Sequence, residues 1–125
     1  MASILVVDDS KTIRNLLAYI LKSQNYKVDT AIDGLVGLEM LFGGNYDLVI
    51  TDINMPRMDG FKLIESIREV EAYKFLPIIV LTTESKEESR RLGIRKGANL
   101  YLTKPSDPEN LVAYVKMLLS SNNSQ

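Results

Sequence analysis

Asp47-Leu-Val-Ile-Thr-Asp-Ile-Asn-Met-Pro-Arg-Met-Asp-Gly60 is the stretch on which the fold is decided. Its apolar run, Leu48, Val49 and Ile50, reads as a short strand buried on both faces, and the run stops on a carboxylate, Asp52. Asn54, Met55, Pro56, Met58, Asp59 and Gly60 follow as a loop punctuated by proline and glycine. A strand that ends this way places Asp52 at the carboxyl edge of a sheet, where open α/β folds bind their ligands. Aspartate also starts turns for purely local reasons. The stretch alone therefore leaves a structural and a chemical reading open.

The flanking chain repeats the pattern. Ser3 to Val7 is a continuous apolar strand that ends on Asp8-Asp9. Ser10 then caps a helix with Ile13, Leu16, Leu17, Ile20 and Leu21 at amphipathic spacing, closed by Asn25. Tyr26 to Ala31 alternates, with Tyr26, Val28 and Thr30 on one face, as an edge strand does. Asp33-Gly34 turns the chain into a second helix, which sets Leu35, Leu38, Leu41 and Phe42 on one side and ends at Gly43-Gly44. A third helix carries Phe61, Ile64, Ile67 and Arg68, and Pro77 to Thr82 is again apolar throughout.

Lys86 to Lys96 is the weakest helix, mostly charged, with Leu92 and Ile94 its few apolar contacts. Its charge run reads as a solvated face. Gly97 ends it, Asn99 to Thr103 gives a fifth strand, and Asp107-Pro108 opens a last helix that buries Leu111, Val112, Val115, Leu118 and Leu119. From about Ser120 the chain is a polar tail, expected to fray.

Five strands alternating with five helices imply parallel βαβ units. Strands one, three and four are apolar throughout and belong at the centre; strands two and five mix in polar residues and belong at the edges. Right-handed crossovers then give the order 2-1-3-4-5, the flavodoxin-like doubly wound arrangement. In that order the ends of strands one and three flank the switch point, so Asp8, Asp9 and Asp52 converge. With 125 residues and no internal repeat, linker or boundary, one domain over 1–125 is expected.

Composition narrows the chemistry. The chain has no Cys and no His, which excludes thiol nucleophiles, disulfides, Cys/His zinc sites and Ser-His-Asp triads. A formal net charge of -1 argues against a nucleic-acid surface. No apolar run approaches the ~18 residues of a membrane span, and Met1-Ala2-Ser3 shows no basic leader, so the cytoplasm is the default. Three carboxylates ~5 Å apart repel by roughly 3 kcal/mol per pair at an effective dielectric of about 20. A divalent cation or shared protons would offset that, and an all-carboxylate set points to Mg2+. Thr82 and Lys104 end strands four and five at the same edge. One hydroxyl and one ammonium opposite a metal suit a phosphoryl group, with an aspartate as covalent acceptor.

Asp8-Asp9-Ser10, Thr51-Asp52-Ile53-Asn54-Met55-Pro56 with Met58-Asp59-Gly60, Leu81-Thr82-Thr83-Glu84 and Tyr101-Leu-Thr-Lys104-Pro105 together resemble the receiver domain of two-component response regulators. The resemblance is nearest to the stand-alone, chemotaxis-type (CheY-like) members and covers Ser3 to about Leu119. It implies that Asp52 accepts a phosphoryl group from a phosphohistidine on a sensor histidine kinase or phosphotransfer protein. Asp9, Asp52 and the Asn54 carbonyl would ligate Mg2+, with Asp8 acting through water. Lys104 would contact the phosphoryl oxygens, Thr82 would move toward them, and Tyr101 would turn inward as Thr82 vacates its space. Asn54 and Glu84 would tune the rate of dephosphorylation.

The Lys104-Pro105 bond would be cis, and output would pass to a protein target through the fourth helix, fifth strand and fifth helix of a monomer. Such a protein is a signalling switch that catalyses only its own phosphorylation and slow dephosphorylation, not a metabolic enzyme. Ser106 departs from the family, many of whose members carry an apolar or aromatic residue there. Two rivals share the topology. An aspartyl-nucleophile phosphatase resembles its kind in a second Asp two residues after the nucleophile, where this chain has Asn54. A flavin module wants a Gly/Ser/Thr-rich phosphate loop where this chain has Asp8-Asp9.

Overall fold

The strands pair according to which runs are apolar on both faces. In the computed structural model, which describes residues 1–123, β1 (Ser3–Val7), β3 (Leu48–Thr51) and β4 (Ile78–Thr82) form the centre of a parallel sheet. β2 (Lys27–Ala31) and β5 (Leu100–Thr103) form its edges, in the order β2-β1-β3-β4-β5. The register aligns the carboxyl ends: Val7 pairs with both Ala31 and Thr51, and Thr82 pairs with Thr103.

Alternation along the strands feeds two cores. Leu5, Val7, Val49, Ile78 and Val80 face Leu41, Leu63, Ile64 and Ile67, from α2 (Gly34–Gly43) and α3 (Gly60–Arg68). Ile4, Val6, Leu48, Ile50, Ile79 and Leu81 face Leu17 and Leu21 of α1 (Lys11–Lys22), and Leu111 and Val115 of α5 (Pro108–Asn123). Fully burying side chains of this size stabilises by about 1.5–3 kcal/mol each before conformational entropy is counted. Helices α1, α2 and α3 begin on capping side chains: Ser10 Oγ accepts from Ile13 N, Asp33 from Val36 N and Asp59 from Lys62 N. Each such cap contributes about 1 kcal/mol.

α4 (Glu87–Lys96) is held unevenly. Its N-cap, Lys86, makes no side-chain capping bond. Its C-terminal end is gripped by Arg68, whose guanidinium donates to Gly97 O (2.8 and 3.0 Å), Tyr73 O (2.7 Å) and Asn99 Oδ1 (3.1 Å). Lys96 also pairs with Glu65 of α3.

Several expected burials do not occur. Phe42 is 54% exposed: Gly34, Gly37 and Leu41 are the buried residues of α2, Val36, Leu38 and Met40 pack half-buried against the core, and the Phe42 ring stacks on Tyr73 instead. Leu16 is 51% exposed, on the edge of the α1 stripe. Ile94 is exposed too, and Gly93 is the buried residue of α4. On β2 the alternation breaks at Thr30, which is exposed while Val28 and Ala31 are buried. The expected tail from Ser120 is helical to Asn123; Ser124 and Gln125 lie outside the described residues.

Candidate functional site

Backbone bonds lock the strand ends before any side chain is considered. Asp52 N donates to Val7 O (2.9 Å), Asp8 N to Ala31 O (3.1 Å) and Lys104 N to Thr82 O (2.7 Å). The loop after β3 folds back through Gly60 N to Ile53 O (2.8 Å). Gly60 is required there, since a Cβ would overlap the Asp52 carbonyl oxygen. Four strand ends thus hold their side chains against one crevice.

Asp8, Asp9 and Asp52 meet as the spacing predicts, with one carboxylate oxygen from each within 4.8 Å of the others. Asp8 is 2% exposed, Asp52 is partly buried and Asp9 faces solvent. Asp8 Oδ1 accepts from Ser10 N (2.9 Å) and Asp52 Oδ1 from Ile53 N (2.6 Å). Lys104 Nζ bridges the remaining oxygens, 2.8 Å from Asp8 Oδ2 and 3.0 Å from Asp52 Oδ2. Burial alone would lower the Lys104 pKa, but the hydrogen bonds to Asp8 and Asp52 outweigh it and hold the ammonium above its ordinary value. Part of the carboxylate repulsion is therefore offset by the chain itself, a means the charge argument did not include. The donors are hard oxygens around an accessible Asp9, which fits Mg2+ rather than a softer metal.

Thr82 and Tyr101 are joined through one residue. Thr82 is fully buried, and its Oγ1 accepts from Glu84 N (3.2 Å). The Tyr101 hydroxyl donates to Glu84 O (2.7 Å), with the ring only 5% exposed. Burial, reinforced by the charges of Glu84 and Asp52, raises the phenol pKa. On an edge strand the ring has two places open to it, the surface or the space beside Thr82, and the structure seats it inside. Asn54 sits exposed in the loop beyond Asp52. Lys104-Pro105 is cis, as the resemblance implies.

One contact escaped the sequence reading. Arg57 takes φ +65 in the β3–α3 loop and donates to the buried Asp33 (Nε to Oδ2, 2.8 Å), while Gly34 N donates to Met58 O (3.1 Å). The hydrogen bond from Arg57, with help from Val36 N, lowers the Asp33 pKa. The loop carrying Asn54 is thereby tied to the start of α2. Asp33 followed by a helical pattern was the available signal for the cap; the arginine partner had none.

Beside the crevice runs an apolar groove of about 360 Å³, lined by Ile13, Leu16 and Ile20 of α1, by Pro105 and Pro108, and by Leu111. Ser106 lies in its wall.

The comparisons with known proteins agree with this geometry. The family model described as the response regulator receiver domain matches residues 4–116. The transcriptional regulatory protein ResD of Bacillus subtilis is 40% identical over 93% of this chain, which spans 47% of its length. The Vibrio cholerae chemotaxis protein CheY4 superposes with a TM-score of 0.89 at 39% identity, covering 94% of this chain and 98% of that one. The response regulator TrrA of Thermotoga maritima, solved in complex with Mg(2+)-BeF, is 41% identical with a TM-score of 0.85, covering 94% of this chain and 99% of that one. Among the described residues no helix is long and apolar enough to cross a membrane. With the matched residues, the strand order and the strand-end carboxylates all in agreement, the chain belongs to the response regulator receiver domain family of two-component systems.

Proposed function

We propose that this chain, as one receiver domain over 1–125, is a phosphorylation-controlled switch whose acceptor is Asp52. The observation that carries the reading is the placement of Lys104 Nζ between Asp8 and Asp52 at the closed strand ends. An Asp52 carboxylate oxygen attacks the phosphorus of a phosphohistidine on a sensor kinase or phosphotransfer protein. The N–P bond breaks, its electron pair returns to the imidazole, which takes up a proton, and an aspartyl phosphate forms. Asp9, Asp52 and the Asn54 carbonyl would hold Mg2+, with Asp8 acting through water; bound there, Mg2+ would neutralise the phosphoryl oxygens as charge develops. Lys104 supplies the second positive charge, and Thr82 a hydroxyl from the neighbouring strand end.

The donor protein must bring its histidine to the open, Asp9 side of the crevice, and the groove along α1 offers it an apolar seat. Phosphorylation is read by another protein across α4, β5 and α5, because Thr82 and Tyr101 both hydrogen-bond to Glu84 at the approach to α4. Asn54 and Glu84, which flank the crevice, set the rate of dephosphorylation. The likeness to a chemotaxis protein supports a role in chemotaxis or motility. Intact mass after incubation with acetyl phosphate and Mg2+ tests the reading: one phosphate adduct forms in the wild type and none in Asp52→Asn. An adduct that survives in Asp52→Asn would overturn it.

A further inference from the structure

α4 carries one residue that its own secondary structure argues against. Glycine in a helix interior is less favourable than any residue except proline, so an isolated one calls for a packing reason. Gly93 is also the buried residue of this otherwise charged helix. A Cβ built on it would lie 3.0 Å from Cδ2 and 3.3 Å from Cε2 of Tyr101, with Phe61 Cε1 at 3.8 Å. The edge of the Tyr101 ring therefore lies closer to the place of a side chain at position 93 than ordinary van der Waals contact allows. Its hydroxyl reaches past the helix to Glu84 O, the residue whose amide is bound by Thr82.

We propose that Gly93 is a positioning residue for Tyr101: the missing side chain forms the seat of the inward ring, and the residue at 93 sets how much of the population holds the Tyr101–Glu84 hydrogen bond. The seat stands on packing alone. Its bearing on signalling rests on the function proposed above, because only a ring seated inward ties β5 to the loop that follows Thr82. A methyl group at 93 requires the ring or α4 to give by a few tenths of an ångström and a branched side chain requires more, so bulk at 93 weakens that tie in proportion to its size.

A stability cycle tests the seat by a change of sign. In a helix with open space, Gly→Ala stabilises. Gly93→Ala is expected to lower the urea midpoint in the wild type and to raise it in a Tyr101→Ala background, where the ring is gone. A rise of equal size in both backgrounds would overturn the proposal. A second readout follows the ring itself in protein labelled with 13C-tyrosine, the Tyr101 signal being identified by its loss in Tyr101→Phe. In Gly93→Val that signal is expected to move to the position of an exposed ring such as Tyr19, and an unmoved signal would count against the seat. Both experiments are read without phosphodonor or metal. Their failure leaves the Asp52 chemistry standing, and a missing phosphate adduct leaves the seat standing.

Discussion

Replacing Lys104 with methionine removes the cation between two carboxylates while keeping most of the side chain's apolar length. At 2.8 and 3.0 Å, and with an effective dielectric of about 20, each lost attraction is about 6 kcal/mol before desolvation. Desolvation of the ammonium takes most of that back. Removing one partner of a buried ion pair costs about 3–5 kcal/mol net, and the open Asp9 side argues for the lower figure. The unfolding entropy of a 125-residue chain is about 0.26 kcal/mol/K, so ~3 kcal/mol lowers Tm by about 11 °C. That is the expected result in EDTA, followed by circular dichroism. With saturating Mg2+ the difference from wild type should shrink by at least half, because a divalent cation at Asp8, Asp9 and Asp52 supplies the missing charge. A fall of the same size with and without Mg2+, or no fall in EDTA, would refute the assignment of these groups to one electrostatic unit.

Three further outcomes are expected. Wild-type Tm should rise with Mg2+, and Asp9→Ala should remove both this rise and the phosphate adduct; a Tm indifferent to Mg2+ speaks against the metal site. Asp33 has a lowered pKa in the folded state, so its contribution is present above the ordinary carboxylate value near pH 4 and is lost as pH falls through the folded value. Asp33→Asn keeps the cap but not the charge, so it should lower the urea midpoint at pH 7 and lose that deficit under strongly acidic conditions; a deficit independent of pH would show that the charge paired with Arg57 is not its source. Hydrogen exchange with and without beryllofluoride should change mainly between Thr82 and about Tyr114, and changes confined to α1 and α2 would sink the proposed output route.

The strand order was legible because burial on both faces leaves a visible trace: no polar residue interrupts Val49-Ile50 or Ile78-Ile79-Val80-Leu81. The meeting of Asp8, Asp9, Asp52 and Lys104 followed from it, since parallel strands in register bring their last residues to one edge. Helix faces were less legible. A stripe at 3.6-residue spacing does not say how wide the covering surface is, and Leu16 and Phe42 fall beyond it. The Arg57–Asp33 pair joins residues 24 apart through a left-handed backbone at a non-glycine position, and no local pattern encodes that. Tyr101 lies between these cases. Its residue type marked it as a large ring on an edge strand, but its direction depends on Gly93, whose isolated place in a helical pattern was the unused clue.

The uneven anchoring of α4 makes it a lever with its fulcrum at Arg68. Ten residues at 1.5 Å per residue give an arm of about 15 Å from Gly97 to the uncapped end. A swing of roughly 10° about the guanidinium grip carries Glu87 almost 3 Å while displacing Gly93 by only about 1 Å, the arms scaling with the helical rise. The long arm is the end nearest Glu84, where the crevice makes itself felt, and the short arm bears on the Tyr101 ring. On the proposed output route, small repacking at the ring would thus be enlarged at the outer end of the helix.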